Sequence, residues 1–84
     1  MEKSAISEKV INIVDKVFKP ESKITKNTEF STFDLTVENK VKFAGMVEEE
    51  FEVQFTVDEM NQLVEGSVGD LVEFIYLFLL PFKD

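Results

Sequence analysis

Residues 29–51, EFSTFDLTVENKVKFAGMVEEEF, read as the end of a loop that turns into an amphipathic helix. Phe43, Val47 and Phe51 recur every four residues, a spacing that keeps side chains on one helical face. Val37, Val41 and Ala44 extend that apolar side towards the helix start. Thr36 marks the junction, because its hydroxyl can accept from an orphan backbone N–H of the first turn. A second helix is therefore predicted from Thr36 to Phe51 or Glu52. Glu38 suits the positive end of the helix dipole. Glu48, Glu49 and Glu50 oppose the negative end, at a cost of roughly a few tenths of a kcal/mol per exposed charge. Either something other than helix stability favours them, or they are simply solvated.

On the N-terminal side, Ser4 to Lys19 predicts a first helix. Ile6, Val10, Ile13, Val14 and Val17 share one face, with Lys9, Asp15 and Lys16 opposite. Ser4 suits the N-cap, and Pro20 stops the helix. Pro20 to Leu35 is then a long connection. A loop of this length in a small domain is usually functional or packed by its own side chains. Ile24, Phe30 and Phe33 are expected to dip into the core as its anchors.

On the C-terminal side, Glu52 to Phe55 forms a short link with Val53 and Phe55 as apolar contacts. Thr56-Val57-Asp58-Glu59 matches a capping box, which opens a short third helix from Val57 to about Leu63. Met60 and Leu63 form its inward side. Gly66 breaks the chain, and Ser67 with Asp70 caps again. A fourth helix follows from Val68 to about Leu80, with Val68, Leu71, Val72, Ile75 and Leu79 on its main face and Pro81 at its end. Phe74, Tyr76, Leu77, Phe78 and Leu80 make its last turns apolar on nearly all sides. They cannot all point into a core this small. The chain reads as one all-α domain over residues 1–84, with four helices, a long first loop and a short third helix.

Composition narrows the function classes. There is no Cys and no His, so disulfides, thiolate metal sites and the usual general base are all missing. No metal site and no catalytic residue is predicted. Five serines have no histidine to activate them, and the three glycines form no phosphate loop. Seventeen acidic residues face nine lysines, giving a net charge of −8, which argues against nucleic acid and for solubility or for steering towards basic partner proteins. The N-terminus, MEKSAISEKV, lacks a signal-length apolar run, and the apolar segment 74–82, FIYLFLLPF, is far short of the ~20 residues that span a bilayer. A cytoplasmic location without a membrane span is expected.

Two further segments carry a resemblance. VEEEFEVQFTVDEM, residues 47–60, is similar to the end of helix two and the link to helix three of acyl carrier proteins. SVGDLVEFI, residues 67–75, is similar to their opening of helix four. The order and spacing of these motifs, in an acidic chain of this size, give a chain that resembles that family over nearly its whole length, most strongly from Val41 to Ile75. The resemblance implies a four-helix bundle and a place beside fatty-acid, polyketide or related biosynthesis. The family carries Asp-Ser-Leu at the start of helix two, and its serine takes the 4'-phosphopantetheine arm. Counting back from Glu48-Glu49-Glu50-Phe51 places Thr36-Val37-Glu38 there, so Val37 occupies the serine position and offers no hydroxyl. The loop before it is one residue shorter than usual. Lys40 and Lys42 stand on a face that the family usually keeps acidic.

The expectation is thus a carrier-like protein without its prosthetic group, acting as a protein-interaction module. Biosynthetic partner proteins would dock on helix two through Val37, Glu38, Val41, Glu48, Glu49 and Glu50. The apolar end of helix four would supply a second partner contact or a homodimer interface. The alternative is a working acyl carrier with phosphopantetheine on Thr36, whose expected role is the N-cap, or on Ser31, which reads as a turn residue. The many Phe side chains favour a filled core over a permanent ligand cavity.

Overall fold

Helix α1 spans Lys3–Phe18 in the computed structural model, which describes residues 2–80. Its N-cap lies two residues earlier than the predicted Ser4. Glu2 occupies the N-cap position without a side-chain bond, and its carbonyl accepts from the Ile6 N–H at 3.1 Å. Ser4 therefore lies inside the first turn. The far end closes at Lys19, whose left-handed backbone (φ 47°) returns its N–H to the Asp15 carbonyl. The predicted apolar face is buried throughout: Ile6, Val10, Ile13, Val14 and Val17.

The loop that follows is held by its own hydroxyls. Thr28 Oγ1 accepts from the Thr25 N–H, Thr25 Oγ1 accepts from the Asn27 N–H, and Thr32 Oγ1 donates to the Glu29 carbonyl. Ile24 and Phe30 are buried and Phe33 is half-buried, so the three anchors do enter the core. Phe30 opens a single 3-10 turn, Phe30–Thr32. The loop is also joined to the opposite side of the domain. The Phe30 N–H donates to the Gly66 carbonyl at 3.0 Å, Val68 donates to Thr28 at 2.8 Å, and Gly69 donates to Lys26 at 2.8 Å. Glu29 and Ser67 form an isolated antiparallel bridge between these bonds. A Cβ on residue 69 would sit 3.0 Å from the Lys26 carbonyl oxygen, so glycine lets the two backbones meet.

Helices α2 (Val37–Phe51), α3 (Val57–Gln62) and α4 (Val68–Leu79) begin where the caps predict. Thr36, Thr56 and Ser67 each accept from the backbone N–H three residues on, and the last two complete reciprocal capping boxes with Glu59 and Asp70. Glu52 ends α2 in a left-handed conformation. The Pro81 stop expected for α4 lies outside the described residues. The architecture is all-α, with four helices, a long first connection and a short third helix. Helix α1 packs on both α4 and α2, and α3 leans on α2. Phe18, Phe30, Phe33 and Phe43 form one aromatic cluster, with Phe18 stacked on Phe33 at 5.0 Å and 5.5 Å from Phe43. Phe18 continues the four-residue rhythm of Val10 and Val14.

Two ion pairs join α1 to its neighbours: Lys9 to Glu50 of α2 and Lys3 to Glu73 of α4. The Lys3 ammonium also lies over the Tyr76 ring. Its hydrogen bond to Glu73 raises it above the ordinary value of 10.5. That contribution is complete below the unfolded value and is lost only as pH rises beyond it, so it is constant around neutrality. Both pairs are exposed and weaken with salt.

Candidate functional site

The start of α2 is fixed by two bonds to one asparagine. The Asn39 N–H donates to Thr36 Oγ1 at 3.1 Å, and Asn39 Nδ2 reaches back to the Asp34 carbonyl at 2.8 Å. From this pinned end, Phe43, Ala44, Val47 and Phe51 take the inward arc and are buried. Val37 and Val41 do not join them. They are 75% and 62% exposed, so the apolar side that they extend leaves the core at the helix start. At 100° per residue Val41 falls on a flank about 60° from Ala44, while Val37 keeps nearly the line of Ala44 two turns earlier, and both look towards α3.

Helix α3 adds Val57, which is 73% exposed, and the half-buried Met60. Together with Lys40 and Asn61, these side chains line a groove of about 280 Å³ between α2 and α3. Val37 and Val57 are equivalent: each is the first helical residue after a threonine cap. The repeated Thr-Val pair was the available signal for Val57, but the distance between the two pairs along the chain hid their pairing in space. Lys40, Met60 and Asn61 were likewise absent from the predicted site.

The three consecutive glutamates have three fates. Glu48 continues the Val37–Val41 flank and is half-buried. Its Oε2 accepts from the Phe55 N–H at 2.8 Å, closing the link between α2 and α3. Glu50 points the other way and accepts from Lys9 Nζ at 2.7 Å. Glu49 is exposed, as is Glu38. The three carboxylates therefore have different surroundings. The first of them answers why acids stand at the wrong end of the helix dipole: Glu48 serves a backbone donor beyond that end.

The site does not fit a covalent phosphopantetheine arm. Val37 has no nucleophilic oxygen, and the Thr36 oxygen already caps α2. Ser31 is exposed within the 3-10 turn of the loop. Replacing Thr36 with alanine is expected to cost about 1 kcal/mol in a urea titration, the usual loss for a threonine cap. A loss near zero would mean that the hydroxyl is free for other chemistry.

The apolar end of α4 is partly used. Phe74 and Phe78 pack on Phe55 of the link, with Phe55 and Phe78 centroids 5.1 Å apart. Leu77 stays 54% exposed. Among the described residues, no cluster of three His, Cys, Asp or Glu side chains is placed to hold a metal ion, and no helix is long and apolar enough to cross a membrane. No protein-family model, curated protein or solved structure matches the chain.

Proposed function

We propose that this chain is a carrier-like protein that carries no acyl group and works as a protein-interaction module, docking through the start of α2 on a partner enzyme of acyl-chain or polyketide biosynthesis. The observation that carries the reading is Val37. It stands as the first residue of α2, where the resemblance places the attachment serine, and it presents an aliphatic side chain to solvent. With Val41 and Val57, both also exposed, it forms an apolar patch around one groove, the kind of surface that marks a protein-interaction site. Val41 lies one turn on and Val57 across the groove.

Carriage on Thr36 is the competing chemistry. Its oxygen is already the acceptor of the Asn39 N–H, and this capping role supports the reading without an arm. The test is intact mass after incubation with a broad-specificity phosphopantetheinyl transferase and coenzyme A, beside a serine-bearing carrier as positive control. No mass gain is expected. A gain of one phosphopantetheine, mapped to Thr36 or Ser31, would overturn the reading and make the chain a true carrier.

A further inference from the structure

We propose that the partner grips α3 from both flanks, setting an apolar side chain in the valine groove and a lysine or arginine in a carboxylate cleft on the far side. This rests on the reading of the chain as an interaction module, and it names the chemistry of the surface that docks. The cleft, of about 600 Å³, lies between α3 and the start of α4 and includes Asp58, Glu65 and Asp70. Asn61 lines both the cleft and the groove, and Asp58 follows Val57 directly, so one short helix separates the apolar site from the acidic one. That helix has no fully buried residue. It stands as a ridge about 10 Å across.

Charge identifies the occupant. Eight of the nine lysines lie at positions 3–42 and the ninth is Lys83, so residues 43–82 hold nine carboxylates and no cation. The two intramolecular ion pairs among the described residues use Glu50 and Glu73, and neither reaches the cleft. Among the described residues, Asp58, Glu65 and Asp70 have no lysine partner. Asp70 also accepts from the Ser67 N–H. The acids at the end of α2 are less available, since Glu48 and Glu50 are engaged. Lys40 on the opposite rim repels a second cation, so the partner's charge must lie on the α4 side of its apolar anchor. The surface thus selects both composition and direction.

The experiment maps backbone amide shifts of the full chain against two synthetic amphipathic peptides of equal length, one built from leucine and lysine, the other from leucine and glutamate. The leucine–lysine peptide is expected to shift Val37, Val41, Val57 and Asn61 together with Asp58 and Glu65, and the glutamate peptide to leave them in place. Val57→Asp is the decisive variant. It adds a negative charge at an exposed first-turn position that favours acids, so folding is preserved. General attraction between a cationic peptide and an acidic protein would tighten; groove binding is expected to weaken about tenfold, the loss of one aliphatic contact. Glu65→Lys is expected to weaken binding as well. Unchanged or tighter binding by Val57→Asp, equal binding of both peptides, no binding by either, or shifts centred on Leu77 and Leu80 would each overturn the proposal. The mass measurement reports on hydroxyl modification alone, so failure there is distinguishable from failure here.

Discussion

Replacing Phe30 with alanine is expected to remove about 3–5 kcal/mol of stability, the range for deleting a fully buried aromatic ring. Phe30 has no exposed surface, and its ring meets Phe18, Phe33 and Phe43. The backbone around it cannot easily collapse into the space, because its N–H is bonded to Gly66 and the flanking loop is bonded to Val68 and Gly69. That rigidity puts the cost towards the upper end. A domain of 84 residues has roughly 4–13 kcal/mol in total, so the variant is expected to sit near unfolding. Urea titration followed by helical circular dichroism reads it directly. At a slope of about 1 kcal/mol per molar, the midpoint falls by about 3 M or more. Phe33→Ala, at a half-buried neighbour, is expected to cost distinctly less. If Phe30→Ala cost under about 1 kcal/mol, the long loop would be an appendage rather than part of the core.

The outcome matters for function because this loop delivers the chain to Thr36. Phe30 and Phe33 anchor the segment just before the cap, and Asn39 bonds back to Asp34 within it. The position of Val37 at the mouth of the groove therefore depends on an aromatic cluster on the other side of α2. Loosening the cluster should broaden the amide signals of Val37 and Val41 before the rest of the domain unfolds.

Much of this was legible from local chemistry. Thr36, Thr56 and Ser67 announce three helix starts, because a cap needs only a hydroxyl and the N–H three residues on. The faces of α1 and α4 follow from spacing, since each packs along most of its length. The cap of α1 falls at Glu2 instead, because Ser4 has cap chemistry but the helix continues two residues beyond it without a side-chain bond. The exposure of Val37 and Val41 has a different origin. Periodicity says that a side chain is apolar and in phase; it does not say whether a neighbouring helix arrives to cover it. Helix α3 covers them only partly, being six residues long. The groove itself is a product of tertiary placement, joining residues twenty apart in sequence, and Val64, which is buried beyond the end of α3, was missed likewise.

The three glutamates give the second prediction. Glu48→Ala is expected to cost about 1–3 kcal/mol, the penalty for depriving a part-buried donor of a charged acceptor. Alanine has the best helix propensity, so a loss cannot be assigned to α2 itself. Removing a carboxylate from the negative end of the dipole would by itself stabilise, which makes any net loss a lower bound on the bond to Phe55. Glu49→Ala, at an exposed neighbour with no bond, is expected to be neutral or slightly stabilising. Glu50→Ala should lose only a few tenths of a kcal/mol with its exposed pair to Lys9, and that loss should vanish in high salt. Glu48→Gln keeps an acceptor oxygen and should recover most of the difference. The series is read by urea titration, with the Phe55 amide proton followed for exchange. Faster exchange in Glu48→Ala, restored in Glu48→Gln, places the effect at the link between α2 and α3. That link sets the spacing of Val41 and Val57 across the groove, so the same variant should also weaken peptide binding without touching any residue that lines it. Equal costs for all three alanine variants would mean that the run acts as bulk charge, and the division of labour among its members would fall.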